Sequence, residues 1–365
     1  MNQNEVHYKI CLITVTLSDG GAERCAATLS HFFHLHNCEV HNVVFAGEIV
    51  YDYSGELLHL GKLKDRSNSF FSRYRRFKTL KSYLKQHQFD YIIDFRVKRF
   101  YLQEYILHNW IFGSFIQTIH SRKLDSYLPE NKFLARLLYR NCSQLVVVSK
   151  SIEAEIQRNY SFKNTIQIYN PIDIAKINTL AKVAINVDFN YILAVGSMHK
   201  NVKQFDHLIE CYSHSVLPHN NIKLIILGDG KLKKDWIELA KSRNQEENVL
   251  FFGTVSNPFP YYKNALFTVL TSKYEGMPMA LLESLSCETP VVAYDCDSGP
   301  SEIIVDKHNG LLIDNQNKKA MTAGMNAMIQ NKDLYLQCKT NAQNSITSFD
   351  RETIGNAWLQ LFKKE

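Results

Sequence analysis

Two glutamates eight residues apart form the clearest chemical pattern in the chain. Glu275 and Glu283 frame the segment E-G-M-P-M-A-L-L-E. The apolar stretch Leu266–Thr271 precedes this segment and predicts a strand, and Met279–Cys287 predicts a helix because it holds good helix formers without an interior Gly or Pro. We therefore expect Glu275 on the turn that joins strand to helix, and Glu283 within the first turns of the helix.

The turn between the two glutamates predicts a site for anions and hydroxyls. The backbone N–H groups of Gly276, Met277 and Met279 would be unpaired donors at a helix start, whereas Pro278 has no donor to lose there. Donors of this kind bind anionic groups. An ordinary strand, turn and amphipathic helix with surface glutamates is the alternative that these residues alone leave open.

The composition is that of a globular protein with room for two domains. The chain has 365 residues, of which 45% are hydrophobic and 21% charged. Its eight cysteines are scattered without a C-x-x-C pair, which indicates reduced core thiols, a cytoplasmic protein and no zinc site. No charged-then-apolar signal segment begins the chain. Polar residues interrupt the aromatic stretch Tyr101–Ile119, so we expect no membrane span.

Apolar strands alternate with helical stretches along the chain, which predicts parallel sheets covered by helices on both faces. In the second half these strands are repeatedly followed by glycine turns, as at Gly196, Gly228 and Gly253. The turn Asn170–Asp173 predicts a hinge between the two halves. Ligands of such sheets bind beyond the carboxyl ends of strands, so the residues just after each strand are the candidates for a site.

The first half has its own candidates at strand ends. Gly20 and Gly21 begin the turn G-G-A-E-R after the predicted strand Ile10–Thr16, although the spaced third glycine of a dinucleotide site is missing. His120 and Arg96 each follow another predicted strand directly. A histidine at such a position is more often structural or simply exposed. A structural role and a role in a site therefore both stay open for His120.

The positive charge of the chain lies in its first half. Residues 1–173 hold 22 Lys and Arg against 16 Asp and Glu, and residues 174–365 hold 20 against 20. Within Gly61–Lys85, cations including Arg73, Arg75 and Arg76 interleave with aromatic residues, as in a basic helix on an anionic membrane surface. A helix that packs on its own sheet is an equal alternative. We expect no nucleic-acid partner, because no binding motif accompanies the charge.

The segment G-P-S-E-I-I at Gly299–Ile304 adds to the pattern of glycine turns. The sequence resembles the retaining glycosyltransferases of family 4 (GT4) over nearly its whole length, and E-G-M-P-M-A-L-L-E is similar to that family's E-x7-E motif. The resemblance implies the GT-B architecture, an α/β fold of two Rossmann-like, doubly wound parallel-sheet domains that face a central cleft. Residues 1–173 would bind the acceptor and residues 174–350 the nucleotide sugar. A helix within residues 351–365 would cross back to the first domain.

The resemblance also implies roles for single residues. Glu275 would accept hydrogen bonds from hydroxyls of the transferred sugar, and Glu283 would accept them from both ribose hydroxyls, because an ionised carboxylate offers only acceptors. Lys203 would bind the donor diphosphate and stabilise the charge that develops on it. His120 would face the transferred sugar, and Arg96 would hold an anionic group of the acceptor. Glu275, His120 and Lys203 are thus the catalytic candidates.

The implied donor-binding set is larger than the catalytic one. It comprises Gly20, Gly21, Ser197, Lys203, Gly228, Gly253, Thr254, Tyr274, Glu275, Gly276, Met277, Pro278, Met279 and Glu283. Ser197 departs from the family pattern, because the family commonly has an arginine there and a serine cannot supply its charge. Either His199 or Lys200 replaces that contact, or the affinity for diphosphate is lower.

The implied function is retaining transfer of a hexose or N-acetylhexosamine. The donor would be a nucleotide sugar, with UDP favoured by the G-P-S-E-I-I segment, and the acceptor a saccharide or a polyprenyl- or other lipid-linked saccharide in cell-surface polysaccharide or lipopolysaccharide synthesis. The protein would work in the cytoplasm, with the inner face of the membrane as a partner if the basic helix binds it.

The leaving phosphate would itself take the acceptor proton, so we expect no metal and no cofactor beyond the donor substrate. Asp295 and Asp297 form a D-x-D pair, but they lie in a predicted loop. Two other functions stay open: a nucleotide-sugar epimerase of the same architecture, and a non-catalytic partner subunit, which the serine at position 197 would favour.

Overall fold

A computed structural model describes residues 7–18, 20–65, 69–98 and 100–363 of the chain. Asp19 of the first glycine turn and residues 66–68 of the basic segment lie outside these ranges. The described residues form thirteen strands: β1 (Lys9–Thr14), β2 (Glu39–Val44), β3 (Glu56–His59), β4 (Tyr91–Asp94), β5 (Phe115–Ile119), β6 (Cys142–Val147), β7 (Thr165–Gln167), β8 (Tyr191–Val195), β9 (Lys223–Leu227), β10 (Val249–Gly253), β11 (Thr268–Leu270), β12 (Val291–Tyr294) and β13 (Gly310–Ile313).

Helices connect most of these strands. The described α-helices are α1 (Gly21–Leu35), α2 (Phe70–His87), α3 (Tyr101–Ile106), α4 (Lys132–Leu138), α5 (Lys150–Tyr160), α6 (Ile174–Leu180), α7 (Phe205–Ser213), α8 (Lys233–Ser242), α9 (Phe259–Asn264), α10 (Met279–Ser286), α11 (Pro300–Ile303), α12 (Lys318–Gln330), α13 (Lys332–Asn341) and α14 (Arg351–Phe362). A π-helical turn, Leu107–Ile111, continues α3. Short 3-10 turns lie at Leu60–Leu63, Leu124–Ser126, Pro218–Asn220 and Asn344–Phe349.

The chain divides into two compact units. Unit 1 comprises Met1–Pro171 together with Arg351–Glu365, and unit 2 comprises Ile172–Asp350. Unit 1 holds a parallel seven-stranded sheet in the order β3-β2-β1-β4-β5-β6-β7, and unit 2 holds a parallel six-stranded sheet in the order β10-β9-β8-β11-β12-β13. Two doubly wound parallel sheets confirm the predicted α/β fold class.

The composition of the strands explains why both sheets are parallel and covered by helices on both faces. In β9, Leu224–Leu227 are buried on both faces, as are all residues of β12, V-V-A-Y. Strands that are apolar on both faces need helices on both sides of the sheet, and parallel strands need crossover connections that supply those helices. The sequence predicts strands over Phe115–Ile119, Tyr191–Val195 and Gly310–Ile313, and the observed bounds of β5, β8 and β13 are the same.

Two elements of unit 1 differ from the sequence prediction. Strand β3 pairs with β2 at the sheet edge, but its four residues are too few for an alternating pattern to identify them. Helix α3 and its π-helical turn occupy residues 101–111 of the aromatic stretch, a part for which the sequence predicted only that it does not span a membrane. The polar residues of that stretch include Glu104 and His108, which are buried and bonded to other charged groups.

The last helix, α14, packs on unit 1. Its Trp358, Leu361 and Phe362 are buried in the same apolar cluster as residues of β1 and α1. The ring of Tyr91 stacks on that of Phe362, with the ring centres 4.0 Å apart. A Cβ atom at Gly355 would lie 2.4 Å from the ring of Phe32. Only a glycine therefore allows α14 to approach α1 this closely.

Candidate active site

The middle of the unit 2 sheet determines where a ligand can bind. The chain runs outward from β8 through β9 to β10 on one side, and from β11 through β12 to β13 on the other. The connections that leave β8 and β11 therefore turn away from each other, and a crevice remains between their carboxyl ends. Lys203 follows β8 and Glu275 follows β11, so both lie at this crevice.

The structure brings Lys203 and Glu275 into direct contact. Nζ of Lys203 lies 2.7 Å from Oε1 of Glu275, and the hydroxyl of Ser272 donates to the same oxygen at 2.5 Å. The two charged side chains are 22% and 12% exposed, so water screens their attraction less than it would at an open surface. The crevice thus holds a cation suited to phosphate beside a carboxylate suited to hydroxyls.

The glycine turns let the loops around this pair pack backbone against backbone. A Cβ atom at Gly196 would lie 2.8 Å from Cγ of Lys203, so the absence of a side chain makes room for the lysine stem. At Gly228, φ is +124°, and a Cβ atom there would lie 2.0 Å from the carbonyl oxygen of Gly196. The N–H of Gly228 donates to the carbonyl of Gly253 at 2.8 Å. These contacts align the loops that follow β8, β9 and β10.

The loop after β12 supports the turn after β11. Helix α10 begins at Met279, as predicted, with Pro278 as its N-cap rather than its first helical residue. The hydroxyl of Ser298 donates to the carbonyl of Gly276 at 3.0 Å. A Cβ atom at Gly299 would lie 2.5 Å from Cδ of Pro278, and Gly299 has a φ of +94°. The G-P-S-E-I-I segment therefore holds the E-G-M-P turn in place by close backbone contact.

Glu283 lies deeper than its partner in the motif. The residue is 5% exposed, and its Oε2 accepts a hydrogen bond from the hydroxyl of Tyr262 at 3.0 Å. Tyr262 belongs to α9 and was not among the predicted site residues. The predicted role of Glu283 on the ribose hydroxyls stays a prediction.

The other predicted donor-binding residues of unit 2 lie in the same set of loops. Exposure differs among them: Ser197 and Thr254 are exposed, Tyr274 and Met279 are half-buried, and Met277 is buried. Oγ of Ser197 accepts a hydrogen bond from the N–H of His199 at 3.4 Å, so the serine contributes to its own loop. The side chains of His199 and Lys200 are exposed beside it.

Unit 1 carries the remaining predicted site residues. Gly20 is the N-cap of α1 with a φ of +99°, and Gly21 is the first helical residue. A Cβ atom at Gly20 would lie 2.5 Å from Oε2 of Glu23, so the glycine leaves space for that carboxylate. Both glycines are exposed at the start of the helix. Their predicted contact with the donor stays a prediction.

His120 follows β5, and its side chain is half-buried with both ring nitrogens shielded from water. Neither ring nitrogen makes a hydrogen bond of good geometry with the described residues, and the ring of Phe95 lies 5.6 Å away between centres. Burial lowers the pKa of His120 to about 4, and the side chain of Asn170 offsets only part of that fall. The imidazole is therefore neutral at neutral pH, which suits it to hydrogen bonding rather than to binding an anion.

Arg96 is buried in a charged cluster that the sequence did not indicate. Its Nε and Nη2 donate to both oxygens of Asp94 at 2.9 and 2.8 Å, and Nη2 also donates to Glu104 at 3.1 Å. Burial opposes the charge of Asp94, but Arg96 and His108 lower its pKa overall. The predicted contact of Arg96 with an anionic acceptor stays a prediction. The carboxylates of Asp94 and Glu104 already neutralise much of the charge of Arg96.

Two family models match adjoining parts of this chain. Residues 176–345 match the model described as Glycosyl transferases group 1, and residues 19–176 match the model of Glycosyltransferase Family 4. Together they span most of both units. The chain belongs to the family 4 glycosyltransferases.

Two curated relatives of this glycosyltransferase are similar over nearly their whole length. One is the N-acetylgalactosamine-N,N'-diacetylbacillosaminyl-diphospho-undecaprenol 4-alpha-N-acetylgalactosaminyltransferase of Campylobacter jejuni, 29% identical over 96% of this chain and 98% of that protein. Another Campylobacter jejuni enzyme, a GalNAc-alpha-(1->4)-GalNAc-alpha-(1->3)-diNAcBac-PP-undecaprenol alpha-1,4-N-acetyl-D-galactosaminyltransferase, is 26% identical over 97% and 98%. These matches favour the transferase over the epimerase and partner-subunit alternatives.

Solved structures confirm the GT-B fold of this family 4 glycosyltransferase. A glycosyltransferase from Rickettsia africae superimposes with a TM-score of 0.78 at 16% identity, and the match covers 98% of each chain.

Within the described ranges, no helix combines the length and the apolar character that a membrane crossing would need.

One group of side chains in this glycosyltransferase has the composition of a metal site. Among the described residues, Glu39, His41 and His87 place three potential ligand atoms within 4.8 Å of one another. Protein contacts already account for much of this group. Nε2 of His41 lies 2.8 Å from Glu39, Nδ1 of His41 lies 2.6 Å from the hydroxyl of Tyr83, and Nζ of Lys9 lies 2.7 Å from Glu39.

Proposed function

We propose that this glycosyltransferase moves a hexose or N-acetylhexosamine from a UDP-sugar, with retention of the anomeric configuration, to a lipid-linked saccharide in cell-surface polysaccharide synthesis. The contact between Lys203 and Glu275 carries the proposal. It puts one cation and one carboxylate at the crevice of the unit 2 sheet, where a doubly wound sheet binds its ligand. A sugar diphosphate needs both kinds of group.

Lys203 and Glu275 can each exchange their mutual contact for a contact with the donor when the donor binds. Lys203 and Glu275 neutralise each other in the absence of donor, which avoids leaving either half-buried charge alone. A diphosphate offers Lys203 a higher negative charge than one carboxylate does. Glu275 would then accept hydrogen bonds from sugar hydroxyls and face the positive charge that develops on the sugar ring.

The proposed reaction needs no enzyme nucleophile. The bond between C1 of the sugar and the diphosphate breaks, and the acceptor oxygen forms the new bond to C1 on the same face. The proton of the acceptor hydroxyl goes to the leaving phosphate oxygen. Lys203 stabilises the charge on that phosphate, so we propose that no metal is required.

The proposed acceptor follows from the two Campylobacter jejuni relatives. Both are named for acceptors that carry a diphosphate and undecaprenol. A lipid-linked acceptor would hold the enzyme at a membrane surface, and α2 has suitable side chains for this. Phe71 is 80% and Tyr74 59% exposed, with the exposed Arg75 beside them. Aromatic and cationic side chains together favour an anionic lipid surface.

The test of this function compares two glutamates of unit 2. We expect Glu275→Ala to lower the transfer rate by about 100-fold or more, because it removes a charge that acts on the transition state. Glu288→Ala is the matched control. Glu288 forms a surface ion pair with Lys263 at 2.5 Å, with side chains 52% and 42% exposed, so its loss should leave the rate unchanged.

Transfer would be followed with UDP-linked N-acetylhexosamines, and the anomeric configuration of the product would be read by NMR. We expect an α-linked donor to give an α-linked product, and the rate to be the same in EDTA. A folded Glu275→Ala enzyme with full activity would contradict the site, and a β-linked product would contradict retention.

A further inference from the structure

Two hydroxyl side chains follow the strand that leads to Glu275. Thr271 and Ser272 come directly after β11, and they are 1% and 0% exposed. A buried hydroxyl costs free energy unless it is hydrogen-bonded, so the partners of these side chains indicate what they hold in place. The hydroxyl of Thr271 contacts the segment that carries Lys203, and the hydroxyl of Ser272 contacts Glu275 itself.

Thr271 fixes the backbone that carries Lys203. Its Oγ1 lies 2.9 Å from the carbonyl oxygen of Lys203 and 3.0 Å from that of Gln204. A hydroxyl has one hydrogen, so the two carbonyls share a single bifurcated donor. The backbone N–H of Lys273 also donates to the carbonyl of Val202 at 2.8 Å. Three successive carbonyls of the loop after β8 are therefore bonded to the chain that follows β11.

Ser272 holds the carboxylate of Glu275 independently of Lys203. Its hydroxyl donates to Oε1 at 2.5 Å, and Nζ of Lys203 lies 2.7 Å from the same oxygen. Within the described part of the chain, no hydrogen bond reaches Oε2 of Glu275. Hydrogen bonds to an ionised carboxylate are short and about twice as strong as neutral ones. The serine therefore fixes one oxygen, and the other can accept a hydrogen bond from a ligand.

The contact between Ser272 and Glu275 matters most after the donor has bound. When Lys203 turns to the diphosphate, Glu275 loses its cation, and Ser272 is the neighbouring donor that stays. A glutamate side chain has three rotatable bonds, and ordering it costs free energy. The hydrogen bond from Ser272 limits that cost and keeps a half-buried charge paired.

We propose that Thr271 and Ser272 are positioning residues for the two parts of the donor. Thr271 holds the backbone of Lys203 where its ammonium group can reach the diphosphate, whereas Ser272 keeps Glu275 on the hydroxyls of the sugar. The inference rests on the proposed function, because that function assigns these parts of a sugar nucleotide to Lys203 and Glu275. We therefore expect two adjacent hydroxyl groups to act on different parts of one ligand.

Calorimetry with UDP and a UDP-sugar separates the two effects. The sugar nucleotide is whichever of UDP-N-acetylglucosamine and UDP-N-acetylgalactosamine binds the wild type more tightly. We expect Ser272→Ala to keep the Kd for UDP and to raise the Kd for the sugar nucleotide by about fivefold to tenfold, the effect of one hydrogen bond. Thr271→Val nearly keeps the shape of the side chain but removes the hydroxyl, so both Kd values should rise by the same factor.

Matched variants separate these effects from a general loss of structure. Ser215→Ala is the control, because Ser215 is also buried and its hydroxyl donates to the carbonyl of Tyr212 at 2.7 Å. Ser215 follows the end of α7, whereas Lys203 precedes its start, so both Kd values should stay those of the wild type. Thr271→Ser retains the hydroxyl and should recover the affinity that Thr271→Val loses. The ratio of two Kd values from one preparation does not depend on how much of it is folded.

Transfer kinetics give a second readout for Ser272. Glu275 faces the charge that develops on the sugar ring in the proposed reaction, so a less well held carboxylate should lower kcat by about tenfold in Ser272→Ala. A serine that only stabilises the fold would change neither kcat nor the ratio of the two Kd values, as we expect for Ser215→Ala.

Each role has an outcome that overturns it. An unchanged ratio of Kd values together with an unchanged kcat in Ser272→Ala would overturn the role of Ser272. Wild-type affinity for UDP in Thr271→Val, or a loss confined to the sugar nucleotide, would overturn the role of Thr271. Both outcomes leave the proposed function intact, because the wild type still binds UDP. A wild type that binds neither ligand would instead contradict the proposed function, and this inference with it.

Discussion

Lys203 and Glu275 are 72 positions apart in the chain and share one hydrogen bond in the fold. Each residue could be predicted from the sequence, because each follows an apolar strand and a parallel sheet places the ends of its strands along one edge. Their contact could not be predicted, since it depends on the order of the strands. The position of β8 next to β11 brings the two residues together.

Buried polar residues were the ones that the sequence did not indicate. Asp94 is the last residue of β4, and Glu104 lies in α3 among exposed aromatic residues. An isolated acidic residue in the sequence is usually solvated, so nothing local predicted their burial. Arg96 was predicted from its strand end, but its ion pair with Glu104 could not be, because only the fold brings α3 to this side chain.

The low pKa of His120 gives a prediction at the residue scale. The folded pKa is about 4 and the ordinary value is 6.5, so protons bind the unfolded chain more tightly between these values. Stability is therefore complete above pH 6.5 and is lost as the pH falls toward 4, by up to about 3 kcal/mol. His120→Asn lacks this titration. We expect the difference in unfolding free energy between wild type and variant to change over that range in urea titrations.

A difference that stays constant between pH 7 and pH 4.5 would contradict the buried, neutral state of His120. The comparison with the variant is needed because many carboxylates also titrate below pH 5 in both proteins.

Among the elements, strands β5 and β8 have their predicted limits. β8 is a continuous apolar run between Asn190 and Gly196, and β5 is buried throughout although it contains Gln117 and Thr118. The predicted ends of helices were less accurate, because capping depends on side-chain geometry. The sequence predicts a helix near Ser72–Gln86, but α2 begins two residues earlier, at Phe70, because Oγ of its cap Ser69 accepts a hydrogen bond from the N–H of Ser72.

Two glycines with positive φ allow the effect of close packing on stability to be measured separately from the effect of backbone strain. A Cβ atom at Gly228 would lie 2.0 Å from the carbonyl oxygen of Gly196, whereas one at Gly113 would meet nothing within 4 Å of it. Gly113→Ala should lower stability by about 1 kcal/mol through its backbone conformation alone. Gly228→Ala should cost more and should also weaken UDP binding, because it displaces the loops around Lys203. Thermal unfolding with and without UDP measures both effects.

Equal losses in the two variants, with UDP binding retained in Gly228→Ala, would show that the contact between the loops after β8 and β9 does not shape the donor site.

The exposed face of α2 gives the membrane prediction. Phe71 and Arg75 are both exposed on this helix. We expect Phe71→Ser, Arg75→Ser to weaken sedimentation with phosphatidylglycerol vesicles, more clearly at low salt, because both apolar insertion and charge attraction are reduced. Lys81→Ser, Lys85→Ser removes more positive charge from the same helix but no aromatic side chain.

A stronger loss in the lysine variant than in the Phe71 variant would indicate attraction by net charge alone. Unchanged sedimentation in both would remove α2 from the membrane proposal.

At the scale of the whole molecule, the chain returns to unit 1 through α14 after completing unit 2. The buried Trp358 of this helix belongs to the apolar cluster of unit 1. Trp358→Ala should destabilise the protein by about 3–5 kcal/mol, because it leaves a large cavity. We expect hydrogen exchange of β1 and α1 to become faster. Asn356→Ala, on the exposed side of α14, is the control and should exchange like the wild type.

Protection of β1 and α1 that is the same in Trp358→Ala as in the wild type would contradict a stabilising role of α14 in unit 1.

The fold class and the family could be predicted from the sequence because they depend on features repeated along the chain, namely apolar strands, glycine turns and the E-x7-E motif. A cavity at the carboxyl-terminal edge of the unit 1 sheet could not be predicted, because residues from three strand ends and two helices with no common motif form it. Its cations were noticed as a charged segment, but only the fold separates Arg73 and Arg76, which line the cavity, from Arg75, which does not.

Thermal unfolding of three proteins with UDP and with a UDP-sugar tests the donor site at Lys203 and Glu275. A ligand at 100 times its Kd stabilises the folded state by about 2.7 kcal/mol, so binding is readily seen. We predict that both ligands raise the unfolding temperature of the wild type. Lys203→Ala should lose both shifts, and Glu275→Ala should keep the shift with UDP but lose the additional shift from the sugar. Equal shifts in all three proteins, or none with any nucleotide, would contradict a donor site at Lys203 and Glu275.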